Sequence, residues 1–313
     1  MQADARIQAD IAGEARSSRA ELPVEGVSPR NVRLPGDSAL ITYRVRLDVP
    51  GELVLFVSRL LARRRREIGT RKNARCLGCY RQALFVLAWY RDKADIPRLG
   101  AGFGLSQATS YRYVAEGTAV IAAEAPGLKE ALERAVAEGT PYVILDGKIV
   151  ASDRCREKTV SRKGRDIDLW YSGKKKDFGG NIQGLFYPGG LPVWISDVLP
   201  GNVHDLAAAR ENVLPVLRNY TGKMPGLADC GYEGAGRGIL TPVKKPKGVK
   251  ELDINARTRN MLLSSARCLG ERGFALLSQR WKTLQHVTAS PSEIGAIARA
   301  ALVLTLFEHK KLT

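Results

Sequence analysis

Nowhere does the sequence hold a run of about 18 apolar residues, so no transmembrane helix is expected. The first 30 residues lack an apolar central stretch and carry several charges, which argues against a secretory signal. Cysteine is scarce. Cys76, Cys79, Cys155, Cys230 and Cys268 form an odd, scattered set, unlike a disulfide framework and suited to a reducing cytoplasm. Cys76 and Cys79 have CxxC spacing, but a structural zinc site needs four ligands, usually as two close pairs. No second CxxC and no HxxxH exists, so the two thiols are read as helix-face residues. Acidic residues are also short: 32 Asp+Glu stand against 49 Lys+Arg, a net charge of +17. That excess points to a polyanion. Nucleic acid ranks above a membrane surface, because each phosphate contact releases a counterion and no amphipathic anchor stands out.

What is present suffices for a folded protein. The chain has 313 residues, 44% of them hydrophobic, enough for a sizeable core and, at roughly 150 residues each, about two domains. Residues 1–38 are polar, with Pro23, Pro29 and Pro35, and read as a flexible arm. A helical DNA-binding domain is expected over 39–139 and a mixed α/β domain over 140–313.

Residues 51–66 begin apolar and end in Arg63 to Arg66, a helix whose cationic last turn suits its dipole. With Arg71, Lys72 and Arg75 these make the densest basic run in the chain, either a solvated face or a phosphate-contacting one. Leu77, Tyr80, Leu84, Leu87 and Ala88 recur at helical spacing over 77–92. Asp95 caps a short helix that tolerates Pro97, Gly102 and Gly104 break it, and Leu105 is a buried hinge. Ser106 caps the next helix. The pair is either a plain helical hairpin or, favoured in so basic a protein, a helix-turn-helix over about 94–124. In the second case Ser106, Gln107, Thr109, Ser110 and Arg112 meet DNA in the major groove. Residues 127–138 form one more amphipathic helix.

From residue 142 the pattern changes. A strand is expected over 142–146, two more over 180–187 and 191–199 around Pro188-Gly189-Gly190, and short ones over 225–229 and 238–243. Helices are expected over 203–217, about 252–282 and 292–309. This mixed order predicts a central sheet flanked by helices. Asp146 and Asp229 end two of the strands, each with glycine close behind, where ligands bind in α/β sheets. One such Asp alone is more often a loop cap. Two of them with Glu271 on the long helix gain weight as a set.

The stretch from Tyr142 to Glu308 resembles the DDE superfamily transposases of bacterial insertion sequences. The resemblance is carried by LDG at 145–147, YSGKKKDFGGNIQ at 171–183, SDVLPGNVHDLAAAR at 196–210, LADCGYEGAG at 227–236 and RCLGERGFALL at 267–277. The upstream helix pair is similar to the helix-turn-helix that precedes this endonuclease domain. The resemblance implies a ribonuclease H-like fold over 140–313, with Asp146, Asp229 and Glu271 as catalytic acids and metal ligands. It implies cleavage of double-stranded DNA at element ends and strand transfer to a target, by a homodimer or larger assembly, with no membrane partner. The location expected is the bacterial cytoplasm, at the nucleoid. An inactive DNA-binding derivative and a host endonuclease on the same fold are the alternatives.

Phosphodiester cleavage must activate water and stabilise a leaving 3′ oxygen, and two Mg²⁺ about 3.5–4 Å apart do both, with Mn²⁺ as substitute. Asp146 is expected to bridge both ions, with Asp229 on one and Glu271 on the other. Lys174, Lys175, Lys176 and Arg267 are expected to hold phosphates, Arg267 alternatively orienting Glu271 from one turn away. His204-Asp205 matches the family's HD pair, as helper or as helix cap. Arg272, Arg280 and Lys282 add positive charge along the long helix, and Lys244, Lys245, Lys247 and Lys250 form a basic loop for target DNA. His286 and His309 show no partner. Two departures stand out. Gly273 costs its helix about 1 kcal/mol relative to Ala. The lysine that the family leads one to expect one or two turns after Glu271 is indistinct, with only Arg280 and Lys282 nearby.

Overall fold

A computed structural model of the protein describes residues 47–161, 163–248 and 250–312, and at Glu271 the backbone only. The arm expected over 1–38 lies outside the described residues. Among those described, no helix is long and apolar enough to cross a membrane.

A mixed sheet forms the centre. Strand β1 (Val143–Ala151) runs antiparallel to β5 (Asp177–Phe186), from Ile144 opposite Phe186 to Ala151 opposite Gly179. Strands β4 (Tyr171–Ser172), β6 (Pro192–Ile195) and β7 (Leu199–Pro200) also pair with β5. On its other edge β1 pairs in parallel with β8 (Gly226–Leu227), and β8 with β9 (Ile239–Leu240). A separate hairpin joins β2 (Lys158–Val160) to β3 (Asp166–Asp168). Three expectations change. The strand of 142–146 continues to Ala151, so Asp146 is mid-strand rather than terminal. The run 191–199 divides into β6 and β7. The helix of 203–217 breaks at Val213 into α6 (Asp205–Asn212) and α7 (Leu214–Leu217), because Pro215 has no N–H to continue the ladder.

Five helices precede the sheet: α1 (Gly51–Glu67), α2 (Cys79–Asp92), α3 (Ile96–Gly102), α4 (Gln107–Ala122) and α5 (Leu128–Ala137). Two follow it, α8 (Ile254–Arg280) and α9 (Ile294–Glu308). Alternation along β1 sorts these into layers. Val143 and Leu145 point into a core shared with α5, α6 and α7. Ile144 and Val150 point the other way, into a core shared with α8 and α9. That second core continues without a break to α1, α2 and α4. Helix α9 is apolar nearly all round, with eleven of its fifteen residues buried, as a helix enclosed on every side must be. It lies between the α1–α4 layer and the sheet, with Phe307 stacked on Phe56 at 4.6 Å.

Glycines set how closely α8 approaches the sheet. A Cβ on Gly270 would lie 2.7 Å from Ile144 Cγ2, and one on Gly273 would lie 2.2 Å from the Phe186 ring. The helix runs unbroken through Gly273, so its propensity cost is offset by this close packing.

Candidate active site

Strand β8 stops pairing with β1 at Leu227, opposite Ile144. Beyond that point the β8 edge of β1 is open, and Asp146 stands at the opening. Two residues past the end of β8, Asp229 caps a short 3-10 turn (Cys230–Tyr232), its Oδ1 accepting from the Gly231 N–H at 2.7 Å. The two carboxylates sense each other. Burial pushes the Asp146 carboxyl up to about 6; the Gly147 N–H, donating at 3.0 Å, and Arg267 oppose the rise, while Asp229 and Asp205 add to it. Helix α8 crosses the same spot: a Cβ on Gly270 would lie 3.9 Å from that of Asp146. The backbone of Glu271 is therefore one residue from contact with Asp146. Arg267, a turn earlier on α8, has a buried Nε with no hydrogen-bond partner among the described residues. Among the described residues no three His, Cys, Asp or Glu side chains gather closely enough to hold a metal ion by themselves.

The opposite face of β1 carries a different polar group. A Cβ on Gly147 would strike Gln183 Nε2 at 2.6 Å, Asp205 Oδ1 at 2.7 Å and Tyr232 Oη at 2.8 Å. These groups belong to one continuous chain of hydrogen bonds. Tyr232 Oη donates to Gln183 Oε1 at 2.7 Å, Gln183 Nε2 to Asn181 Oδ1 at 2.8 Å, and Asn181 Nδ2 to Asp205 Oδ1 at 2.9 Å. Lys174 completes it, its ammonium donating to Asp205 Oδ2 at 2.9 Å, and that bond raises the Lys174 pKa. Burial and the three surrounding aspartates hold the Tyr232 phenol well above its usual pKa. Asn181, Gln183 and Tyr232 escaped sequence reasoning. Their signal was the alternation of polar residues in GNIQ, visible only once the register with β1 is known. A cleft of about 340 Å³ opens beside this chain, bordered by Lys174, Asn181, His204 and Asp205.

The other expected site residues scatter. Lys175 donates to the Ile149 carbonyl at 3.1 Å, and Lys176 takes φ 55° in the turn between β4 and β5. His204 is the residue before α6, with no side-chain cap bond, and Asp205 belongs to the chain of hydrogen bonds just described. Ser106 caps α4 and Arg112 donates to Thr109 Oγ1 at 3.1 Å, while Gln107 is exposed. Ser110 is a correction. It is fully buried, its hydroxyl donating to the Ser106 carbonyl at 2.9 Å, and Gly100 of α3 packs directly on it, so DNA cannot reach it. Tyr111, 49% exposed beside Arg112, takes its place on the outer face.

Several cations turn out to be structural. Arg65 ties α1 to Leu77 O and Gln82 Oε1, and Arg75 pairs with Glu116. Arg66, Arg71 and Lys72 stay exposed. Arg280 is clamped by Glu308 and Asp48. Lys244 pairs with Glu233 at 2.7 Å. His286 has a partner after all, its Nε2 lying 2.7 Å from Asp153 Oδ1.

A model of the DDE superfamily endonuclease family matches residues 145–305, just over half of the chain. A crystal structure of a pre-cleavage Mos1 transpososome is similar at 10% identity over 78% of this chain and 81% of that one, with a TM-score of 0.16, too low to bear on the fold. No curated protein matches the sequence.

Proposed function

The chain belongs to the DDE superfamily endonucleases, and from that footing we propose that it is a transposase. It binds the ends of a mobile DNA element, cuts phosphodiester bonds with the help of divalent metal, and joins the freed 3′ end to target DNA. What supports this reading is that the charge of Asp229 acts on Asp146 where β8 leaves β1, beside the turn of α8 that holds Glu271. The donor set fits a hard divalent cation: oxygen ligands only, one of them a carboxyl whose charge is penalised by burial and by neighbouring acids. Asp146, Asp229 and Glu271 would hold two Mg²⁺, or Mn²⁺ in their place, and these when bound activate water and neutralise the leaving oxygen.

The chain's own groups do the rest. The Gly147 and Gly231 N–H groups each fix one oxygen of an aspartate. Arg267 adds positive charge beside Asp146 and would draw a phosphate there. Hydrolysis breaks the P–O3′ bond and leaves a 3′ hydroxyl. In strand transfer that hydroxyl attacks a target phosphorus and displaces the target's own 3′ oxygen. Recognition of element ends falls to Ser106, Gln107, Thr109 and Arg112 at the start of α4, within residues 39–139. Lys174, Lys175 and Lys176 supply phosphate contacts. Pairing two ends calls for a dimer or larger assembly in the bacterial cytoplasm.

The test is Mg²⁺-dependent nicking of DNA bearing the sequences that flank the reading frame. Cutting that EDTA abolishes, and that Asp146→Ala, Asp229→Ala and Glu271→Ala each remove without loss of binding, is the expected result. Specific binding with no metal-dependent cutting overturns it in favour of a DNA-binding derivative. Cutting without joining favours a host nuclease.

A further inference from the structure

Lys148 sits two residues after Asp146 on β1, so strand alternation puts both side chains on the α8 face, about 7 Å apart along the strand. Its stem crosses the Phe274 ring, with Nζ 5.8 Å from the centroid. Its ammonium donates to Ser278 Oγ at 3.1 Å, and that hydroxyl spends its own proton on the Phe274 carbonyl at 2.9 Å. An ammonium has three N–H donors. Ser278 takes one, and among the described residues neither a carboxylate nor any other acceptor takes the rest. The other two N–H groups of this half-buried ammonium are left to solvent or to an anionic ligand. Of the cations on α8, Arg267 lies a turn before Glu271 and near Asp146, and Arg280 is already consumed by Glu308 and Asp48.

Given the nuclease reading, on which this inference rests, we propose that Lys148 is a substrate-binding residue whose ammonium holds a DNA backbone phosphate next to Asp146. The ligand it fits is a phosphodiester oxygen. The Phe274 ring and the Ser278 hydroxyl hold the long side chain in one place beforehand, so less rotamer freedom is lost when DNA arrives. The contact is to charge and not to a base, so it serves any sequence.

Lys148→Gln removes the charge and shortens the side chain; Lys148→Arg keeps the charge. Two measurements on the full chain separate the outcomes. The first is binding of a fluorescein-labelled 30-base-pair duplex across a salt series. The second is single-turnover nicking of supercoiled plasmid in Mg²⁺. Lys148→Gln is expected to flatten the salt slope by about one. It should also raise the half-saturating protein concentration about tenfold, with the maximal nicking rate within threefold of wild type, because a contact made equally in ground and transition states affects binding alone. Lys148→Arg should stay within about twofold of wild type in both. An unchanged salt slope overturns the proposal, whether or not Lys148→Gln melts earlier or cuts more slowly. If wild type binds but does not nick, the nuclease reading fails while the salt slope still judges Lys148. If wild type does not bind, both fail.

Discussion

The two faces of β1 treat polar groups in opposite ways. On the Gly147 face, Tyr232, Gln183, Asn181, Asp205 and Lys174 satisfy one another in an unbroken chain of hydrogen bonds. On the Asp146 face, a partly buried carboxyl carries a raised pKa, and among the described residues the Arg267 Nε has no partner and Lys148 a single hydroxyl. Buried polar groups are normally paired, so the unpaired face marks where a ligand belongs. The paired face holds the strand and the Asp229 turn in register behind it.

Breaking the unpaired face should cost activity and little stability. Asp146→Asn should lower metal-dependent nicking by at least about a thousandfold, as expected when an electrostatic centre of a reaction is removed, while duplex binding persists. Breaking the paired face should do the reverse. Gly147→Ala drives a methyl into three hydrogen-bonded atoms and should destabilise the fold by about 3 kcal/mol, read as a fall in urea midpoint. Tyr232→Phe removes one donor, leaves Gln183 Oε1 buried without it, and should cost about 1–2 kcal/mol by the same measurement.

The sharpest contrast is in pH dependence. The Asp146 carboxyl is raised from 3.8 to about 6, so above pH 6 it is ionised in folded and unfolded chains alike and its burial penalty is complete. Below about 3 it is protonated in both states and the penalty is gone. Asp146→Asn should therefore stabilise the protein by about 1–3 kcal/mol at pH 7.5 and by nothing measurable at pH 3. Tyr232→Phe should cost the same at both. A flat difference for Asp146→Asn would place that carboxyl in solvent and erase the contrast between the faces.

Part of this was legible from residue order alone. Asp95 and Ser106 cap the helices that follow them, because a short polar side chain before an apolar periodicity has few other uses. Asp146 and Asp229 were marked by the glycines behind them. What was hidden depends on pairing. Gly147 looks like the end of a strand, and only the partner β5 shows that β1 runs through it; reading past it would have set Lys148 on the Asp146 face. Ser110 and Arg112 look alike as polar residues early in a helix, and what separates them is Gly100, ten residues upstream of Ser110, packing on one and not the other. Arg280 resembled free positive charge because its partners, Asp48 and Glu308, lie far away in the chain.

Helix α9 follows the whole sheet in the chain, yet α1 and α4, which precede the sheet, rest on it. The early helices therefore cannot close their core until this distant segment has docked between them and the strands. A chain cut before Ile294 should lose the order of the α1–α4 layer along with the helix itself, and proteases should then attack that layer first.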